Sequence, residues 1–230
     1  MLTKYGLPQV AVFPVITGCI MILLAVFSHG ALWIIPFEAV LLVLLIWIFS
    51  FFRDPKRVII YDDSVLLSPC DGTVTEVASV DGLVKVSMFL SIYNVHINRA
   101  PCKAAVIKVT YIEGRYRNAK DPESAKLNEA NEVVLMMNAD PADTMIVRQV
   151  SGAIARRIVC RVSPGDNLEQ GERYGMIKFG SRTELILQQE APDGMKREIC
   201  VQPGDKVKAG ITALVRYSWV EPDFSGRNDR

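Results

Sequence analysis

The sequence predicts an N-terminal α-helical membrane hairpin followed by a mainly β domain of the barrel-sandwich kind, and three observations predict it. Two long apolar runs stand near the N-terminus, Val10 to Phe27 without a charge and Ala31 to Phe52 with Glu38 alone. Beyond Arg57 the texture changes to short stretches rich in Val, Ile, Thr and Tyr, punctuated by Asp71-Gly72, Asp81-Gly82 and Asp193-Gly194. A pattern of strand, Pro-Gly-Asp turn, apolar residue and glycine then occurs twice, at Val162–Gly171 and Val201–Gly210.

Each apolar run is long enough to cross a hydrocarbon core of ~30 Å as a helix. A cleaved signal peptide would carry one such run. Two runs with only a short loop between them, holding His29, argue for a retained hairpin. Lys4 precedes the first run and Arg53, Lys56 and Arg57 follow the second, so the positive-inside rule places both ends and the rest of the chain in the cytoplasm. The expected address is the cell (inner) membrane, with the domain after the hairpin facing the cytoplasm. Pro36 and Glu38 leave a shallow re-entrant insertion open, because a carboxylate at mid-bilayer costs ~2.5–3.5 kcal/mol on insertion scales. The expected division is a hairpin with its basic flank at residues 1–57 and a β-rich domain at 58–230.

In the second part, strands are expected at 65–67, 73–78, 83–90, 104–112, 132–137, 144–150, 156–162, 174–179, 183–188, 197–201 and 211–220. The repeated Pro-Gly-Asp turns are of a kind found in biotinyl and lipoyl barrel-sandwich domains. Residues 113–131 form a long polar excursion, which reads equally as a solvated loop or a functional one.

The 230-residue chain carries 26 Lys+Arg against 25 Asp+Glu, so no global field favours a nucleic acid partner. Its five cysteines form no Cys-x-x-Cys pair, which fits a reducing compartment and no metal site. Cys70 reads as a small apolar filler.

Four stretches carry chemistry in combination: Phe52-Arg53-Asp54-Pro55-Lys56-Arg57, Ser68-Pro69-Cys70-Asp71-Gly72, Phe89-Leu90-Ser91-Ile92-Tyr93-Asn94-Val95-His96-Ile97-Asn98-Arg99-Ala100-Pro101, and Ile177-Lys178-Phe179-Gly180-Ser181-Arg182. In this order they make the chain resemble the phosphatidylserine decarboxylase proenzymes, in their short bacterial and archaeal form. Two departures from longer members are plain. Those carry two histidines three residues apart where this chain has His96 and Arg99, and Leu-Gly-Ser-Thr where it has Phe179-Gly180-Ser181-Arg182.

The resemblance implies autocatalytic serinolysis at Gly180-Ser181, giving residues 1–180 and 181–230, two chains that stay associated. It also implies a covalent pyruvoyl (pyruvate) cofactor derived from Ser181, which condenses with the substrate amine. The implied reaction is decarboxylation of phosphatidylserine to phosphatidylethanolamine, with the phospholipid substrate in the membrane. Ser181, His96 and Asp71 are the implied catalytic residues, and a weak nucleophile such as the Ser181 hydroxyl needs a base beside it. His96 is the one histidine beyond the hairpin, and Asp71 would orient it as in a serine-protease triad. Whether His96 serves cleavage, decarboxylation or both stays open. Arg99 cannot be a base, since it remains protonated, but could grip a phosphate or carboxylate. All these residues lie beyond the hairpin, which makes the anchor separable from the chemistry. Two rival readings are a non-catalytic, membrane-anchored biotinyl- or lipoyl-like adaptor and an anchored serine hydrolase that keeps Ser181 intact.

Overall fold

A computed structural model describes residues 2–28, 31–115, 127–152, 157–178 and 180–220. His29, most of the polar excursion at 113–131 and Phe179 lie outside them. Helices α1 (Leu7–Phe27) and α2 (Ile35–Phe51) form the hairpin, each extended by a short 3-10 turn before it. The stretches Pro8–Phe27 and Leu32–Phe51 are each 20 residues long and apolar enough to cross a membrane, a length of ~30 Å. Only 11% of each is buried within the protein, so most of their apolar surface is not covered by the β domain. Glu38 falls in the first turn of α2, at the tip of the hairpin and not mid-span. The positive end of the helix dipole favours a carboxylate there.

At the base of the hairpin the chain closes on itself, with the Thr3 N–H donating to the Phe52 carbonyl at 2.9 Å. Tyr5, Val10, Ile48, Phe51 and Phe52 then pack with Val95, Ile97 and Met176 of the β domain in one buried cluster. The anchor is therefore not separable in the way the sequence implies. Its aromatic end is a piece of the domain's core.

The β domain contains β1 (Val65–Leu67), β2 (Gly72–Val80), β3 (Leu83–Leu90), β4 (Ile97–Arg99), β5 (Ala104–Ile112), β6 (Ala130–Met137) and β7 (Thr144–Val150). After these come β8 (Ile158–Cys160), β9 (Asn167–Leu168), β10 (Arg173–Ile177), β11 (Ser181–Gln188), β12 (Met195–Ile199), β13 (Lys206–Val207) and β14 (Ala213–Trp219). Eight strands form one antiparallel sheet in the order β13-β2-β3-β11-β7-β6-β5-β9, and two three-stranded sheets run β1-β14-β12 and β4-β10-β8. The core lies inside the large sheet, where Val86, Met88, Leu135, Val147, Leu185 and Leu214 are all fully buried.

The two Pro-Gly-Asp repeats turn out to be matching edge pieces. In one, Val106 donates to the Asp166 carbonyl and accepts from the Gly165 N–H; in the other, Val74 does the same with Asp205 and Gly204. Each partner strand carries a register shift just beyond that residue, and each repeat contributes a two-residue strand at one end of the large sheet. The glycines that close the repeats, Gly171 and Gly210, pack on the same Ile59 side chain. The two edges thus come together, which curls the sheet into a partial barrel and protects both edges from further pairing.

A strap leads from the hairpin into this domain through ion pairs. Asp54 is buried and reaches Arg173 Nε at 2.8 Å and Arg99 Nη2 at 3.4 Å, and those two arginines face each other across β10 and β4. Removing one partner from such a group leaves a buried charge, a loss of about 3–5 kcal/mol.

The Phe51 side chain is fully buried at the junction. Phe51→Ala should therefore destabilise the protein by about 3–5 kcal/mol and lower Tm by roughly 10 °C, read by thermal unfolding in detergent. An unchanged Tm would mean that hairpin and domain are energetically independent.

Candidate active site

Three neighbouring strands of the large sheet stop at one level and resume, in the same order, in a small one. β3, β11 and β7 are adjacent in the first, and β4, β10 and β8 are adjacent in the second. Ser181 is paired with Leu90, and Arg182 with Val150, on one side of the interruption. On the other side Met176 is paired with Ile97 and with Val159. The strand ends at 90 and 97, 150 and 158, and 177 and 181 are consequently neighbours across the interruption, and Gly180-Ser181 belongs to the middle strand pair.

Each of the three chains brings two polar residues, two positions apart and so on one face: His96 and Asn98, Gln149 and Ser151, Ser181 and Thr183. The inner three bond to one another. Gln149 Nε2 donates to Asn98 Oδ1 at 2.9 Å and Asn98 Nδ2 donates to Thr183 Oγ1 at 3.2 Å, with Asn131 Nδ2 donating to Gln149 Oε1 at 3.1 Å. The outer three do not. His96 Nε2, Ser151 Oγ and Ser181 Oγ are buried with no hydrogen-bond partner among the described residues. Burying such a group unsatisfied costs about 1–3 kcal/mol, and unpaired buried polar atoms in a native fold call for an explanation such as catalysis.

His96 is in a defined state. Its Nδ1 lies 2.9 Å from the Asn94 carbonyl, which can only accept, so Nδ1 carries the proton and Nε2 presents a lone pair. Burial pushes the imidazole down to about 4; the bond to Asn94 opposes this and the nearby Arg53 charge adds to it. The ring also packs on Phe51 at a centroid distance of 4.4 Å. It is thus a neutral base at pH 7, held by the end of α2. Next to Ser181, Gly180 has φ of +38°, a left-handed conformation that disfavours residues with a Cβ. Ser181 itself is fully buried.

Asp71 does not orient His96. Gly72 packs against the backbone of Phe89 and Leu90, so Asp71 stands level with the interruption but beyond β3. Its carboxylate accepts from Arg57 Nη2 at 2.8 Å and from the Ala209 N–H at 2.8 Å. The strap that follows α2 supplies the cation that claims it, and the Asn94 carbonyl takes the orienting position. Arg99 is likewise engaged by the protein, donating to the Gly171 carbonyl at 2.8 Å as well as meeting Asp54. It is a buried clamp between strap and sheet. Arg182 points to the opposite face from Ser181, where it approaches Glu184 at 3.8 Å beside Arg148 and Glu132. The Cys70 thiol is raised well above its ordinary value by burial, which suits a filler.

The family model of phosphatidylserine decarboxylase matches residues 44–215. The chain belongs to the phosphatidylserine decarboxylase family. It is 42% identical to a phosphatidylserine decarboxylase proenzyme of Carboxydothermus hydrogenoformans over 81% of this chain and 87% of that protein. Proteins of the same name from Rhodopirellula baltica, 38% identical over 93% of this chain and 87% of that one, and Magnetococcus marinus, 34% identical over 96% and 97%, extend the match through the hairpin region. Within this family frame, Asn94, Asn98, Gln149, Ser151 and Thr183 are polar residues at the interruption that sequence reasoning missed. The signal that could have found two of them is spacing, since Asn98 and Thr183 stand two positions after His96 and Ser181.

Since the folded imidazole titrates below the ordinary 6.5, the fold favours its neutral form. That contribution is present above pH 6.5 and fades as pH falls toward 4. Nitrogen NMR of 15N-labelled histidine should show His96 neutral and protonated at Nδ1 down to about pH 5. A resonance that titrates near 6.5 would contradict the site's geometry.

Proposed function

We propose that the protein cleaves itself between Gly180 and Ser181 and then decarboxylates phosphatidylserine to phosphatidylethanolamine at the membrane surface. The observation that carries this reading is the trio of unpartnered buried atoms at the strand interruption, in a chain of this family. His96 Nε2 accepts the Ser181 hydroxyl proton, and Oγ adds to the Gly180 carbonyl carbon, converting the amide into an ester. Removal of the Ser181 Cα proton then expels the Gly180 carboxylate. Hydrolysis of the dehydroalanine left at residue 181 takes up one water and releases one ammonia.

The residues present fit the pyruvoyl group that would result at position 181: its precursor is buried, shares the strand interruption with a neutral base and follows a residue without a Cβ. When formed, that group supplies a ketone that takes the substrate amine and accepts the electron pair freed as carbon dioxide leaves. The chain's own part is to exclude water and to move protons at His96 Nε2, with Ser151 Oγ as a donor on the same face. Low water content strengthens every charge interaction there. After cleavage the fragment 181–230 would stay in place, because β11 is bonded on both sides by β3 and β7 and β14 is bonded to β1. Lys4, Arg53, Lys56 and Arg57 favour a cytoplasmic domain on the inner membrane.

The test uses purified full-length protein in vesicles with carboxyl-13C phosphatidylserine. Labelled carbon dioxide should appear with the wild type, not with Ser181→Ala, and with His96→Ala at a rate lower by ~10²-fold or more. Wild-type protein that releases none would end the reading, and a folded His96→Ala protein at full rate would make the histidine structural.

A further inference from the structure

The residue three positions before Ser181 has no role in the chemistry above. Lys178 is only 6% exposed, and no carboxylate lies within ion-pairing distance of its ammonium among the described residues. Its one hydrogen-bond partner there is a neutral oxygen, Gln9 Oε1 at 3.0 Å. Burial, with Arg157 adding to it, lowers the Lys178 pKa. A buried cation without an anion is costly unless something completes it. Its backbone fixes its place, since the Lys178 N–H donates to the Arg157 carbonyl while the preceding Ile177 N–H donates to the His96 carbonyl. The ammonium therefore lies where the strand interruption meets the hairpin.

Gln9 opens a line on α1. Residues 9, 13 and 17 follow one another at helical spacing on one face, and Phe13 and Thr17 are walls of a cleft between α1 and α2 of about 260 Å³. Leu44, Trp47 and Ile48 of α2 form its other wall, and Phe52 closes its base. Phe52 is stacked edge-on against Phe51, at 5.0 Å between ring centres, and Phe51 is the residue against His96. Apolar cleft, buried ammonium and strand interruption are thus consecutive.

We propose that one acyl chain of the phospholipid substrate lies in the α1/α2 cleft and that its phosphodiester is held by Lys178 and Gln9. This rests on the decarboxylase reading of the site. The phosphate is the better match than the carboxylate for two reasons. In the substrate it stands between the serine amine and the acyl chains, as Lys178 stands between the strand interruption and Gln9 at the head of the line that leads to the cleft. An ammonium on the carboxylate would also stabilise the charge that must be lost as carbon dioxide leaves, whereas an ammonium on the phosphate leaves that step free. The hairpin is then part of the substrate site as well as an anchor.

Binding is measured by calorimetry on the uncleaved Ser181→Ala protein in detergent, with dihexanoyl phosphatidylserine and with an O-alkyl serine of similar length that lacks phosphate. The parent should prefer the phospholipid by about tenfold or more, as expected for a charged hydrogen bond. Lys178→Met should erase that preference and Lys178→Arg should keep most of it. If Lys178→Met does not fold, Lys178→Gln in the same measurement decides. Thr17→Phe, which fills the cleft, should leave the phosphate preference but stop affinity from rising with acyl length. Equal preference in the parent and in Lys178→Met, or an unchanged chain-length dependence in Thr17→Phe, overturns the proposal. If either occurs while wild-type protein still releases carbon dioxide from phosphatidylserine, the lipid placement alone is wrong. If no carbon dioxide is released, the decarboxylase reading falls with it.

Discussion

The pairing of three neighbouring strands on both sides of one interruption is the constraint on which the site depends. β3, β11 and β7 are in register on one side, and β4, β10 and β8 on the other. The strand ends on the two sides are therefore held as neighbours. Residues distant in sequence, at 96, 151 and 181, are brought to one level by backbone hydrogen bonds that involve none of their side chains. The layer beneath them is tied together by the amide chain through Asn131, Gln149, Asn98 and Thr183, while the three outer atoms stay unpaired among the described residues.

The hairpin enters this arrangement as a wall. Phe51 and Phe52 complete the cluster over Val95, Ile97 and Met176, and the His96 ring rests on Phe51. The strap after the hairpin is fastened by Asp54 to Arg99 and Arg173 and by Arg57 to Asp71. Basic residues that membrane topology alone would explain thus have a second use, because they join the membrane segment rigidly to the β domain.

Much of this was legible in the sequence. The two apolar runs, the long strands and the Pro-Gly-Asp echo all correspond to elements of the structure, because each rests on local periodicity or on a turn that glycine permits. β4 was not legible: Ile97, Asn98 and Arg99 are three residues with two polar side chains, stabilised as a strand by the pairing with β10. Gly180, Ser181 and His96 were recognisable as a set through a family pattern, and the fold brings their segments together. The partners of Asp71 and Arg99 were not, because they come from the strap, whose residues look like ordinary flanking charges in one dimension. Lys178 was hidden for the same reason, since its isolation from carboxylates is a property of three-dimensional neighbours.

On the reading proposed above, the chain breaks at the middle strand of the interruption. Intact-protein mass spectrometry of the full-length protein tests it most directly. The account predicts two species, residues 1–180 ending in a free Gly180 carboxylate and residues 181–230 lighter by one ammonia than the unmodified peptide. A single intact chain in an active preparation, or a second chain that begins with an unmodified Ser181, would contradict it.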